Sequence, residues 1–267
     1  MTTPADRETI AIEAARVGGT IVMRHFRTAR ATALEEKGLH DFVTEVDHES
    51  DRAITALLNE RCPDDDVMSE EGAPRVQRKR ARWIVDPLDG TTNFAHGIFP
   101  FAVSVAVEDE QGLVAGAVYD PLHDEMFHAR RRGGARLNGE TIRCSRPADS
   151  SRALVATGVP FRELSRLDRY LAVFERVARR TAGLRRAGAA AVDLAYTACG
   201  RYDGFFEIGL APWDVAGGIL LVREAGGTVT DLLGGETVLE TGDIVAGGSR
   251  THAMLLAITS EVFAGSR

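Results

Sequence analysis

A layered α/β fold is predicted for this chain by three features of its sequence. Apolar residues recur at helical spacing near both ends. Val- and Ala-rich runs of strand length cluster before residue 150, and beyond it strands and helices alternate. The 267 residues suffice for a sizeable core, and we read them as a single domain, 1–267, in two intimate halves of roughly 1–149 and 150–267. A composition of 44% hydrophobic and 27% charged residues is ordinary for a soluble globular chain. The net charge of −7 argues against a nucleic-acid surface spread over the whole molecule.

The elements follow in order. Pro4 to about Arg27 reads as an amphipathic helix with Ile10, Ala14, Val17, Ile21 and Val22 on one side, and His25 near its end reads as a solvated or capping histidine. Thr32 to Val43 is polar and aperiodic, a loop or mobile hairpin. Glu45 to Arg61 is a second helix burying Ile54, Leu57 and Leu58, ended by Cys62-Pro63. Its Asp47-x-Glu49-x-Asp51 start resembles a calcium loop but has Arg52 where the sharp-turn Gly belongs, so it reads as a charged helix start. Val67-Met68 is a short strand that would carry Glu70 toward Asp86. Phe101–Glu108, Leu113–Tyr119 and Glu125–Ala129 read as an antiparallel meander, followed by a basic turn at Arg130–Gly134.

In the second half, Ala153–Thr157 is a strand. Glu163–Thr181 is a helix presenting Leu167, Leu171, Phe174 and Val177. Leu184–Arg186 is extended, and the small-residue run from Gly188 becomes a helix that continues to Cys199 and stops at Gly200. Gly204–Ile208 is a strand, and Pro212-Trp213-Asp214 opens a helix with Pro near the favoured first position. Strands at Thr228–Asp231 and Ile244–Gly247 and a helix from Thr251 to Phe263 complete the pattern.

Cys62, Cys144 and Cys199 are far apart and form no C-x-x-C pair, which suits reduced thiols. With no secretory-type start and no apolar run of about 20 residues, the expected location is the cytoplasm and no membrane partner is expected.

The most informative stretch is Trp83 to Phe94, Trp-Ile-Val-Asp-Pro-Leu-Asp-Gly-Thr-Thr-Asn-Phe. Its apolar run is the end of a buried strand, Pro87 is expected to stop the sheet there, Asp89-Gly90 turns the chain, and Thr91-Thr92-Asn93 suit a helix start. Asp86, Asp89 and the Leu88 carbonyl are hard oxygen donors, which suit Mg2+, Mn2+ or Ca2+ rather than zinc or copper. Helix-start amides suit a phosphate, so metal-assisted phosphoryl chemistry is the functional hypothesis. Taken alone, Asp-Pro-x-Asp-Gly is also an ordinary turn. No Walker A, H-E-x-x-H, G-x-S-x-G or zinc-like Cys/His spacing is present.

The twelve residues together resemble the first signature of the inositol monophosphatase family. Trp213-Asp214-Val215-Ala216-Gly217-Gly218, followed by Glu224-Ala225-Gly226-Gly227, resembles the second. The resemblance covers nearly the whole chain and implies an αβαβα sandwich with mixed sheets. It implies a Mg2+-dependent hydrolysis of inositol monophosphate, a homodimer, and two to three ions, with Mn2+ as a substitute. Glu70, Asp86 and the Leu88 carbonyl would hold one ion, Asp86, Asp89 and Asp214 a second, and Glu70 a weaker third. Glu70 and Thr91 would orient the attacking water, with Asp47 bonded to the Thr91 hydroxyl. Gly90 and Thr91 would hold phosphate oxygens through their amides. Glu207 would bind the polyol, Asp89 and Asp214 would also contact the substrate, and Gly188, Ala189 and Ala190 would line the pocket through their backbone.

Asp214 alone would be a helix cap, Glu207 a strand-end surface residue, and Lys37, matched to a mobile metal-site loop, a solvated lysine. Ala211-Pro212 before Trp213 and Arg185-Arg186-Ala187-Gly188 look more like the bacterial branch. The preferred phosphate monoester therefore stays open among inositol monophosphate, fructose 1,6-bisphosphate, histidinol phosphate and a 3′-phosphonucleotide. A transcription-associated binding role, known for some bacterial relatives, is the alternative from another class.

Overall fold

The computed structural model describes residues 2–26, 35–38, 41–43, 45–72, 80–147 and 149–264, with 35–38 and 41–43 described by their backbone. The first part contains α1 (Pro4–His25), the antiparallel pair β1 (Glu35–Gly38) and β2 (Asp41–Val43), and α2 (Glu45–Arg61). The strands β3 (Asp66–Ser69) and β4 (Ala81–Asp89) follow, then the short helix α3 (Thr91–Ala95). A meander of β5 (Ala102–Asp109), β6 (Gly112–Asp120), β7 (Glu125–Arg130), β8 (Gly134–Leu137) and β9 (Glu140–Thr141) completes a seven-stranded sheet. Its order is β3-β4-β5-β6-β7-β8-β9, antiparallel except for the β3–β4 pair.

The second part contains β10 (Leu154–Thr157), a 3-10 turn at Leu164–Arg166, α4 (Leu167–Ala178), β11 (Gly183–Arg185) and α5 (Ala190–Ala198). It continues with β12 (Gly204–Glu207), α6 (Pro212–Glu224), β13 (Thr228–Thr230), α7 (Val238–Thr241), β14 (Ile244–Gly247) and α8 (Ser249–Phe263). These five strands form a mixed sheet ordered β11-β10-β12-β14-β13, with β10 parallel to both its neighbours.

Five layers result, because each sheet is apolar on both faces. On β5, Val103, Val105 and Val107 point to α1 and α2, where they pack with Ile10, Ala14, Val22, Ile54 and Leu58. Ala102 and Ala106 of the same strand point the other way, to the layer of α5 and α6. The second sheet meets that central layer with Ala156, Phe205 and Ala246, and covers α4 and α8 with Val155, Phe206 and Val245. The αβαβα sandwich is the expected architecture. Among the described residues no helix is long and apolar enough to cross a membrane.

Some boundaries differ from expectation. Pro87 does not stop β4: Asp86 pairs with Ser104 and Asp89 with Ala102, so two residues of β4 oppose one of β5. That bulge sets Pro87 where the ladder needs no N–H, and the strand runs on to Asp89. The α4 helix begins at Leu167 after the 3-10 turn and buries Tyr170, Val173 and Val177, leaving Leu171 exposed. The basic turn binds carboxylates of its own chain: Arg130 pairs with Glu8, and Arg131 with Asp109 at 2.7 Å. His25 pairs with Glu49 at 2.9 Å. The stretch predicted as a loop or hairpin is paired through β1 and β2, while 27–34, 39, 40 and the Lys37 side chain lie outside what is described.

Candidate active site

The site forms where β3 and β4 end beside the N-termini of α5 and α6. Because β3 runs parallel to β4 with Ser69 opposite Val85, the next residue, Glu70, lies beside Asp86, and its N–H donates to the Val85 carbonyl at 3.2 Å. Past the bulge the chain folds on itself. The Leu88 N–H donates to Asp86 Oδ1 at 3.1 Å, and the Thr91 hydroxyl donates to the Leu88 carbonyl at 2.9 Å. Gly90 sits between them at φ 84°, where a Cβ would also come within 2.7 Å of the Pro100 carbonyl, so glycine is required.

Two acids are held by helix starts. Asp89 Oδ2 accepts the Ala191 N–H at 2.8 Å in the first turn of α5, whose own N-cap, Ala189, has no side-chain acceptor. Asp214, third residue of α6, accepts the Ala211 N–H at 2.7 Å, so its capping role is real. Asn93 joins the halves by donating to Pro100 at 2.7 Å and to Ala187 at 2.9 Å.

These groups surround a cavity of about 410 Å³. Glu70, Asp86, Leu88, Asp89 and Asp214 line it, and so do Gly90 and Thr91. Gly188, Ala189, Ala190 and Glu207 form its other side. Among the described residues that the resemblance assigns to catalysis, substrate or metal, Asp47 is off its wall: it is buried in the first turn of α2, where its charge still reaches Asp86. The expected bond from the Thr91 hydroxyl to Asp47 is corrected, since the one hydroxyl proton goes to Leu88.

The electrostatics are those of crowded, desolvated carboxylates. Burial, then the charges of Glu70, Asp89 and Asp214, hold the Asp86 carboxyl well above the usual range. Asp89 is pushed up to about 8 by burial and by Asp214, against the lowering effect of the Ala191 amide. Glu207 is pushed up to about 8, by burial first and Asp214 next. Such a site gains from any cation that enters it. Hard oxygens in this number match an oxygen-seeking divalent ion, although among the described residues no three Asp, Glu, His or Cys side chains already form a closed metal cage. A guanidinium lies among them instead. Arg162 places Nη1 3.4 Å from Asp214 Oδ2 and Nη2 3.5 Å from Glu70 Oε1.

Sequence reasoning missed Arg162, which sits alone in a loop with no motif around it. It also missed Asp193, an acid of α5 that is 1% exposed and whose Oδ1 has no hydrogen-bond partner; burial and the charge of Glu207 push its pKa well up. An Asp within a small apolar helix was the available signal. At the cavity's rim the Arg186 guanidinium lies 5.1 Å over the Phe161 ring.

Residues 4–263 match the model of the inositol monophosphatase family. The Nus factor SuhB of Pseudomonas aeruginosa is 44% identical over 252 residues, 92% of this chain and 93% of that one. Among solved structures, extragenic suppressor protein suhB from Bartonella henselae superposes with a TM-score of 0.91 at 38% identity, covering 95% of this chain and 98% of that one. An IMPase from Thermotoga maritima does so with a TM-score of 0.87 at 33% identity, covering 97% and 99%.

Proposed function

The chain belongs to the inositol monophosphatase family, and from that premise we propose that it is a Mg2+-dependent phosphomonoesterase hydrolysing inositol monophosphate to inositol and phosphate. The observation that carries this reading is the meeting, in one cavity, of Glu70, Asp86 and Asp89 from the first half of the chain with Asp214 from the second. Glu70, Asp86 and the Leu88 carbonyl would hold one ion and Asp86, Asp89 and Asp214 another, with a third, weaker position near Glu70. When bound, Mg2+ supplies Lewis acidity toward a water molecule and toward the ester oxygens.

The chain's own groups do the rest. Glu70 orients the attacking water as a proton acceptor. The Thr91 oxygen, whose proton is committed to Leu88, also offers lone pairs to that water. The Gly90 and Thr91 amides hold phosphate oxygens, and Asp47 tunes the charge at Asp86 from below. Glu207 accepts a hydroxyl of the polyol, and the backbone of Gly188, Ala189 and Ala190 shapes that side of the cavity.

Phosphate release from inositol monophosphate, fructose 1,6-bisphosphate, histidinol phosphate and a 3′-phosphonucleotide, with Mg2+ and after EDTA treatment, tests the proposal. Inositol monophosphate should be turned over fastest and only with the metal. Undiminished hydrolysis in EDTA would refute the mechanism, and a much faster rival would reassign the substrate. A homodimer in the cytoplasm goes with this reading.

The name Nus factor carried by similar bacterial proteins favours a second reading, a transcription-associated binding role. Co-purification with transcription complexes that persists in EDTA would support it as a separate property of the surface.

A further inference from the structure

We infer that Gly158 is a positioning residue that fixes the Glu207 carboxyl and thereby sets the preference for polyol phosphates; this rests on the reading of Glu207 as the polyol contact. The parallel register of β10 with β12 pairs Thr157 with Phe206, so the next residues, Gly158 just past β10 and Glu207 at the end of β12, lie side by side. A Cβ added at Gly158 would meet the carboxyl carbon and both oxygens of Glu207, all inside the 3.0 Å that real Cβ atoms do not breach. Gly158 has no left-handed φ, so its backbone would accept any L residue. The missing side chain is therefore needed for space alone, and the space is filled by one carboxyl group.

That carboxyl has no easy retreat. Behind it lies Asp193 of α5, a second buried acid whose pKa the Glu207 charge raises, while Arg186 and Arg162, which attract the Glu207 carboxylate, stand on the cavity side. The open direction is the cavity that Glu207 lines. A side chain at 158 would drive the carboxyl outward, into the volume that a ring with neighbouring hydroxyls must occupy. With glycine there, the carboxyl stays at the wall, where its two oxygens face a pair of hydroxyls. The substrate class selected is thus a phosphate ester of a vicinal polyol, over a flat aryl phosphate that offers no hydroxyl.

The test uses the full chain as Gly158→Ala, Glu207→Ala and the double variant, with inositol monophosphate and p-nitrophenyl phosphate as substrates. Gly158→Ala should lower the ratio of kcat/KM for the polyol ester over the aryl ester by about tenfold or more, mostly through KM, because misplaced polar groups reject a hydroxylated substrate. It should also lower the thermal midpoint by about 2 °C or more. With Glu207 already reduced to Ala, the same change at 158 should leave the ratio unmoved and should no longer lower the midpoint, which can rise slightly as the unfolded chain loses freedom.

A ratio and midpoint that stay at wild type in Gly158→Ala would overturn the inference, as would losses of equal size in the Glu207→Ala background. Should Gly158→Ala fail to fold, recovery of folding in the double variant supports the steric pairing and continued failure overturns it. If Glu207→Ala alone leaves the substrate ratio unchanged, the polyol reading of Glu207 fails, while the midpoints of the double variant still decide the pairing.

Discussion

Asp89→Asn should stabilise the metal-free protein and weaken its response to Mg2+. The substitution conserves shape and keeps an oxygen for the Ala191 N–H, now 2.8 Å from Asp89 Oδ2, so the start of α5 stays capped. What it removes is one charge from a crowded, 8% exposed position. The Asp89 carboxyl is pushed up from 3.8 to about 8 by burial and by Asp214. A carboxyl that holds its proton more tightly when folded contributes its full stability below the unfolded pKa near 4. That contribution is lost as the pH climbs toward the folded value near 8. At about 1.4 kcal/mol per pKa unit the ceiling is roughly 6 kcal/mol. Water in the open cavity, and protons shared among Asp86, Asp89 and Asp214, bring the expected net to about 1–3 kcal/mol.

The variant should therefore melt with wild type near pH 4 and above it at pH 8, by about 2–4 °C per kcal/mol. Mg2+ should raise the wild-type midpoint by mass action and the variant's by clearly less, because the ion position that uses Asp89 is lost while that of Glu70, Asp86 and the Leu88 carbonyl is kept. Phosphate release should fall by about a hundredfold or more, as expected when a group that stabilises developing charge is lost. Thermal melts from pH 4 to 9, in EDTA and in Mg2+, measure all but the last. A variant less stable than wild type at every pH, or one that Mg2+ stabilises equally, would refute the account of Asp89 as a strained, cation-seeking carboxylate.

Arg162→Ala should tighten Mg2+ binding, by about three- to tenfold in calorimetry, since the guanidinium near Glu70 and Asp214 competes with a metal for the same charge; unchanged or weaker binding would contradict this. Gly90→Ala should cost about 1–3 kcal/mol for its left-handed backbone. Contact with the Pro100 carbonyl at 2.7 Å adds to that, so both the urea midpoint and activity should drop. Asp214→Ala should be less stable than Asp214→Asn by about 1 kcal/mol, because only the amide retains an acceptor for the Ala211 N–H. Equal urea midpoints for the two would show that the cap contributes nothing.

Much of the fold was legible because period and burial agree. The alternation of β5 between Val and Ala faces, and the apolar stripes of α1 and α2, are set by local spacing that the sequence displays directly. The failures are tertiary. Pro87 looks like a strand stop until β5 is present to absorb it in a bulge. The buried face of α4 follows Tyr170, Val173 and Val177 because α8 and the second sheet lie there, and Leu171 is as apolar as any of them. The strands β8 and β9 and the four-residue helix α7 are too short to show a period. In the site, Asp86 and Asp89 can be suspected from a turn full of hard oxygens and Glu70 from the short strand that points it at Asp86, whereas Glu207 and Asp214 are singled out by resemblance. Arg162 touches Glu70, 92 residues away in sequence, and nothing local marks it.

Capping and metal binding look like rival explanations for these acids, and the structure shows why they need not be. Asp89 and Asp214 each sit at the start of a helix and each spend one oxygen on a backbone amide. A carboxylate has about four lone-pair positions, so one amide bond leaves capacity for a cation. At Asp89 the Ala191 N–H also lowers the pKa that burial and the Asp214 charge raise. The helix starts thus make a cluster of negative charge tolerable before any cation arrives. The offset is partial, since Asp89 still stands at about 8, and a cation entering the site would displace its proton. The ends of α5 and α6 are therefore part of the chemistry of the site as well as of its scaffold.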